Sequence, residues 1–119
     1  MMSKVLITGA AGFIGSNLAN SFIKKKYQVW TIDNLSTGKL KNLNKNIKFI
    51  RGDCSKSSSI KKLNNNKFKY IFHFAGQSSG EISFEDPKKD FNANVLSTIN
   101  LAEYAIKNNC EKFFYASSM

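Results

Sequence analysis

The chain has 119 residues, 42% of them hydrophobic and 13% aromatic, which suits one globular domain with its own core but is short for a complete two-lobed enzyme. No stretch approaches the roughly 18 apolar residues of a membrane span, and Met1 to Lys4 leads straight into a strand, so neither a spanning helix nor a signal peptide is expected and the expected setting is cytoplasmic. The formal charge of +10 comes from lysines spread along the chain at late-helix and helix-edge positions, as in Lys24-Lys25-Lys26, Lys61-Lys62 and Lys88-Lys89; charge alone would permit nucleic-acid binding, but no recognition module of interleaved aromatic and basic residues accompanies it.

The apolar run Val5 to Ile7 reads as a strand buried on both faces. Three glycines spaced three apart follow it. Gly9 allows a tight turn, Gly12 lets a pyrophosphate approach the main chain, and Gly15 lets the next helix pack closely on the sheet. The free N–H groups of that helix's first turn then face an anion. Glycines also punctuate ordinary turns, so the triplet alone is weak evidence. A Walker-type phosphate loop is a poor fit, because Gly15 is followed by Ser16 where that loop needs a lysine.

Phe13 to Lys26 carries Phe13, Ile14, Leu18, Phe22 and Ile23 at helical spacing and predicts a helix lying on the sheet. Gln28 to Asp33 is a second strand that ends in an acid. Asp33 lies eighteen residues beyond Gly15, near the place of the carboxylate that holds the adenosine ribose in dinucleotide folds. A carboxylate there accepts hydrogen bonds from a diol and repels a 2′-phosphate, which favours NAD over NADP. The competing reading is a turn acid before Asn34.

Residues 34 to 46 form a polar loop, Ile47 to Arg51 a third strand, and Gly52-Asp53 its exit. Asp53 would either sit beside the adenine or cap a helix over Ser55 to Asn64. Tyr70 to Phe74 is a fourth strand, with Ala75-Gly76 leaving room at its end. Asp86 and Pro87 open a helix that runs to about Asn109, with Phe91, Val95, Ile99, Ala102 and Ile106 along one face. Lys112 to Tyr115 is a fifth strand. The two cysteines, Cys54 and Cys110, and the single His73 have neither disulfide-scaffold nor zinc-ligand spacing, so no metal site is expected. Both thiols read as reduced small hydrophobes, and His73 as a hydrogen-bonded core residue.

The alternation predicts an α/β fold: a Rossmann-type doubly wound parallel sheet of order 3-2-1-4-5, with 1–119 a partial NAD-binding domain that stops after strand five. The order reverses between strands one and four, so Gly9 to Gly15 and Phe74 to Gly76 face each other across the crevice where open sheets bind ligands.

With these residues assembled, the chain resembles the amino-terminal part of the NAD-dependent epimerase/dehydratase family, the extended short-chain dehydrogenases acting on nucleotide sugars, and is most similar to its UDP-glucose 4-epimerase members. The marks are Thr8 to Gly15, Asp33 to Gly38, Gly52-Asp53, His73 to Ser79, Asn92 to Val95 and Tyr115 to Ser118. The resemblance implies that Gly9, Gly12, Phe13, Ile14 and Gly15 hold the NAD pyrophosphate, Asp33 and Asn34 the ribose, and Asp53 with Cys54 the adenine. Phe74, Ala75 and Gly76 line the cofactor's midsection, with Asn94 reaching in from the long helix. Ser118 matches the family's Ser/Thr at the reacting sugar hydroxyl, and Ser117 is a neighbour of the nicotinamide. The family's Tyr-x-x-x-Lys pair is missing from these 119 residues, as are the later strands and the sugar-nucleotide lobe. The resemblance therefore implies an NAD-binding fragment, inactive alone, of an enzyme that oxidises a UDP-sugar reversibly by hydride transfer. A non-catalytic NAD-binding module is the alternative, and a basic nucleic-acid-binding domain is a third reading of another class. Pairing of two copies through the helix at 88–109, and poor solubility from a bare sheet face over strands four and five, are further expectations.

Overall fold

The computed structural model describes residues 2–10, 13–34, 43–74, 88 and 92–115. Five strands form one parallel sheet in the order β3-β2-β1-β4-β5, as the sequence predicts. They are β1 (Lys4–Thr8), β2 (Gln28–Asp33), β3 (Lys48–Arg51), β4 (Tyr70–His73) and β5 (Lys112–Tyr115). β1 is central, with Val5 opposite Val29 on one side and opposite Tyr70 on the other. The helices are α1 (Phe13–Lys24), α2 (Ser57–Ile60), which tightens into a 3₁₀ turn over Lys61–Leu63, and α3 (Ser97–Lys107), which is entered through a π-helical turn at Asn92–Leu96.

Successive side chains of β1 point to opposite faces, so the apolar run feeds two cores. Val5 and Ile7 pack with Ala19 of α1 and Val29, with Phe22, Tyr70 and Phe72 at the margin. Leu6 packs on the other face with Trp30, Ile32, Leu63, Phe68, Ile71 and, from α3, Leu101 and Tyr104. Each fully buried Leu, Ile or Phe contributes about 1.5–3 kcal/mol. A strand buried on both sides needs this unbroken apolar pattern.

Two expected helix faces differ. Phe13 and Ile14 do not lie on the sheet; they are 83% and 66% exposed. Leu18, Phe22 and Ile23 do pack against the core as expected, but the fully inward positions of α1 are Gly15 and Ala19, four residues apart on one face. At 100° per residue, Phe13 and Ile14 must then point away. On α3 the stripe Val95, Ile99 and Ile106 is likewise outward, at 40%, 46% and 80% exposure. The buried face carries Ser97, Leu101, Tyr104 and Ala105. Both stripes have helical spacing and are two residues out of phase, which is about half a turn. Tyr104 decides between them: its hydroxyl donates to the Asn66 carbonyl at 2.9 Å and its ring lies 6.1 Å from Phe68.

The helix ends follow a common logic. At the end of α1, Tyr27 N–H donates to Phe22 O and Lys26 N–H to Ile23 O, a Schellman pair with Lys26 at φ 69°. α3 ends the same way, with Cys110 N–H to Ala105 O, Asn109 N–H to Ile106 O, and Asn109 at φ 57°. Asn64, at φ 56°, stops the 3₁₀ turn at the residue where the sequence ends the helix.

Candidate functional site

Four strand ends, those of β1, β2, β3 and β4, meet at the carboxyl edge of the sheet. At the exit of β1, Gly9 has φ 72°, a conformation open to glycine without steric cost. A Cβ built on Gly15 would drive into the Gly9 carbonyl, lying 2.9 Å from its carbon and 3.0 Å from Ala10 Cα. The absent side chain thus lets the first turn of α1 press against the Gly9-Ala10 turn. From the other side Thr31 Oγ1 accepts from Ala10 N–H at 3.4 Å. The first turn of α1 holds no acidic residue, so its positive dipole end is left for an anion. Phe13 and Ile14 stand at this helix start, while Gly12 lies outside the described residues.

At the exits of β2 and β3, Asp33 is 7% exposed and pairs in register with Arg51. The Asp33 carbonyl accepts from Gly52 N–H, and a Cβ at Gly52 would lie 2.9 Å from Ser59 Cβ and Oγ, so glycine here admits α2 to the strand end. Asp53 does not cap α2, whose N-cap is Lys56 without a side-chain bond. Its Oδ1 instead accepts from Ser55 N–H at 2.9 Å and Ser55 Oγ at 2.7 Å, while its own N–H donates to Ser59 Oγ. Capping loses because Ser55 is two residues away and closes a tighter ring. Cys54 is buried between these acids, and burial first, then Asp53 and Asp33, push its thiol up to about 12. Asn100 of α3 donates to the Cys54 carbonyl at 2.9 Å. Asp33, Asp53 and Cys54 therefore form one neighbourhood. Neither cysteine is in a disulfide, and burial also raises the Cys110 thiol.

At the exit of β4, Phe74 N–H donates to Thr8 Oγ1 at 2.9 Å, tying that strand end to the one that opens onto Gly9. His73 is fully buried, with Nδ1 2.8 Å from Thr8 Oγ1 and Nε2 3.0 Å from Ser97 Oγ. Burial lowers its pKa to about 4, so the ring is neutral, the hydrogen-bonded core residue that the sequence suggested. Asn94 sits in the π-helical turn before α3, its carbonyl accepting from Thr98 Oγ1. Asn34 follows directly on Asp33, whereas Ala75, Gly76, Ser117 and Ser118 lie outside the described residues.

The polar supports Thr31, Ser59, Ser97 and Asn100 lie outside the family motifs, and Thr8 opens one of them without a role assigned to its hydroxyl. A faint signal was available: Thr8 and Thr31 are polar residues inside apolar strands, and the β1–β4 register sets Thr8 opposite His73. Among the described residues no group of three or more His, Cys, Asp or Glu is placed to hold a metal ion, and no helix is long and apolar enough to cross a membrane.

An open parallel sheet whose order reverses beside a glycine-held helix start, with an acid at the end of the second strand, defines a Rossmann-type nucleotide-binding fold. The comparisons with known proteins agree. The chain belongs to the NAD dependent epimerase/dehydratase family, which matches residues 5–119. It is similar to a UDP-glucose 4-epimerase of Pisum sativum, 34% identical over 127 aligned residues that cover 97% of this chain and 36% of the pea protein. Its fold is similar to the UDP-glucose 4-epimerase of Thermotoga maritima solved with UDP-glucose, at TM-score 0.92 and 36% identity, covering 96% of this chain and 37% of that one. The Thermus thermophilus UDP-glucose 4-epimerase in complex with NAD aligns at TM-score 0.86 and 35% identity, over 92% and 36% of the two chains. The chain spans little more than a third of the length of these relatives.

Proposed function

We propose that residues 1–119 are the NAD-binding domain of a nucleotide-sugar epimerase or dehydratase whose substrate is a UDP-sugar. The single observation that carries this reading is the crevice itself: Gly9 at φ 72° lies against Gly15 at a helix start, and Asp33 stands at the neighbouring strand end. The residues fit the cofactor, because a helix start pressed close to the strand exit at Gly15, with no acid in its first turn, suits an anion such as a diphosphate. NAD held there would supply reversible hydride acceptance from a sugar carbon.

This chain's own part is to bind and orient. Gly9, Gly12, Phe13, Ile14 and Gly15 present main-chain donors to the pyrophosphate, and Asp33 and Asn34 accept from the ribose diol. Asp53 and Cys54 border the adenine. Phe74 and Asn94 border the other wall, and the resemblance assigns Ala75 and Gly76 to the cofactor's midsection, Ser117 to the nicotinamide and Ser118 to the reacting sugar hydroxyl. Two copies pair through α3, whose stripe of Val95, Ile99 and Ile106 faces outward. A cytoplasmic setting goes with this reading, supported by two free cysteines.

Calorimetric titration of the full chain with NAD and NADP tests the binding reading. NAD is expected to bind more tightly than NADP, and Asp33→Asn to weaken NAD by about tenfold while narrowing the preference. Absence of heat with either cofactor on folded protein would overturn it.

A further inference from the structure

A buried chain of hydrogen bonds crosses the floor of the crevice. Ser97 Oγ of α3 lies 3.0 Å from His73 Nε2, His73 Nδ1 lies 2.8 Å from Thr8 Oγ1, and Thr8 Oγ1 accepts from Phe74 N–H at 2.9 Å. Thr8 and His73 are fully buried and Ser97 is 2% exposed, so the hydroxyls and the ring serve one another in a region closed to bulk water. A neutral imidazole offers one donor and one acceptor, and a hydroxyl at each end matches either tautomer.

The endpoints give the chain its meaning. Thr8 is the last residue of β1 and hands directly to Gly9, which has no slack because its carbonyl is pressed against Gly15. Phe74 is the first residue past β4, on the opposite lip. Strand pairing holds the two backbones in register only as far as Thr8 and His73, so the first atoms beyond the ladder are located by the Thr8 hydroxyl. That hydroxyl is oriented by His73, and His73 is oriented by α3. An apolar side chain of similar size at position 73 would fill the space equally well but would remove the two hydrogen bonds through which the ring orients the Thr8 and Ser97 hydroxyls.

We propose that His73 is a positioning residue for cofactor binding, locking both lips of the crevice and α3 into one arrangement through Thr8 and Ser97. The inference rests on the NAD-binding reading above for its affinity readout. It also has a readout that needs no cofactor.

Three variants of the full chain separate positioning from space filling. His73→Leu keeps volume and removes both legs, His73→Asn keeps an amide able to reach Thr8, and Ser97→Ala removes only the α3 leg. Each is followed by melting, by NAD calorimetry well below the melting range, and by amide NMR of the cofactor-free protein. His73→Leu is expected to weaken NAD by about tenfold and to shift the Gly9 and Phe74 amide resonances. His73→Asn should stay within about threefold of the parent, and Ser97→Ala should fall between the two. Should His73→Leu not fold, the ordering of the other two decides: Ser97→Ala binding like the parent with unmoved Gly9 and Phe74 resonances overturns the proposal. So does a folded His73→Leu with parental affinity and resonances, or a loss of affinity in all three that only tracks their melting. If the parent itself binds no NAD, the functional reading fails, and the Gly9 and Phe74 resonances still judge the clamp.

Discussion

Gly15 makes its contribution by what it lacks. An alanine there would set a Cβ against the Gly9 carbonyl and Ala10 Cα, both backbone, so relief requires moving α1 off the turn. Gly15→Ala is expected to destabilise the fold by about 1–3 kcal/mol and to weaken NAD at least as strongly. Urea unfolding and calorimetry together check this, and a neutral result in both would refute the close approach. His73 predicts a pH dependence of stability. Its ring takes a proton near 6.5 in the unfolded chain but only near 4 in the fold, because burial disfavours the charged form. Between these values the unfolded state binds more protons, so stability rises with pH, is complete above 6.5 and is lost as pH falls toward 4. Urea titrations at pH 7 and pH 5 should differ by about 2 kcal/mol from this group, a difference that His73→Asn removes.

Among the helices, α1 and α3 end in the same hydrogen-bond pattern, but the left-handed position carries Lys26 in one and Asn109 in the other. Asparagine visits that region readily and lysine does not. Lys26→Gly is expected to raise stability by roughly 0.5–1 kcal/mol, seen as a higher urea midpoint at unchanged slope. α3 also shows why spacing alone did not orient it. Two stripes of equal helical period run along its surface, and the inner one is held by Leu101 in the core, by Ser97 and Asn100 in hydrogen bonds, and by the Tyr104 hydroxyl reaching the Asn66 carbonyl beside Phe68. The 3₁₀ and π-helical turns before Asn64 and Ser97 were likewise invisible in the pattern, since both are local adjustments to what the chain packs against.

Among the described residues, apolar side chains face outward at the start of α1, where Phe13 and Ile14 are exposed, and on two further surfaces. One is the α3 stripe of Val95, Ile99 and Ile106, and the other is the aromatic face of β4 and β5, where Phe114 is 43% exposed and stacks on Phe72 at 4.6 Å and 7°. Concentration-dependent association is expected in light scattering. Ile99→Glu with Ile106→Glu should abolish it if α3 pairs two copies, and Phe114→Glu should do so if the sheet face is responsible. A parent protein that remains monomeric at high concentration would contradict both.

The residues alone determined the sheet order and the place of the crevice, because buried parallel strands require unbroken apolar runs and a turn that admits helix against strand requires glycine. The same pattern placed Asp33 at the end of β2, and there the structure holds it. Tertiary structure decided which stripe of α3 turns inward, that Asp53 closes its own turn instead of capping α2, and that Thr8, His73 and Ser97 meet. Apolar periodicity is written along the chain, one residue at a time. A hydrogen bond between positions 65 residues apart exists only once the strands that carry them lie side by side.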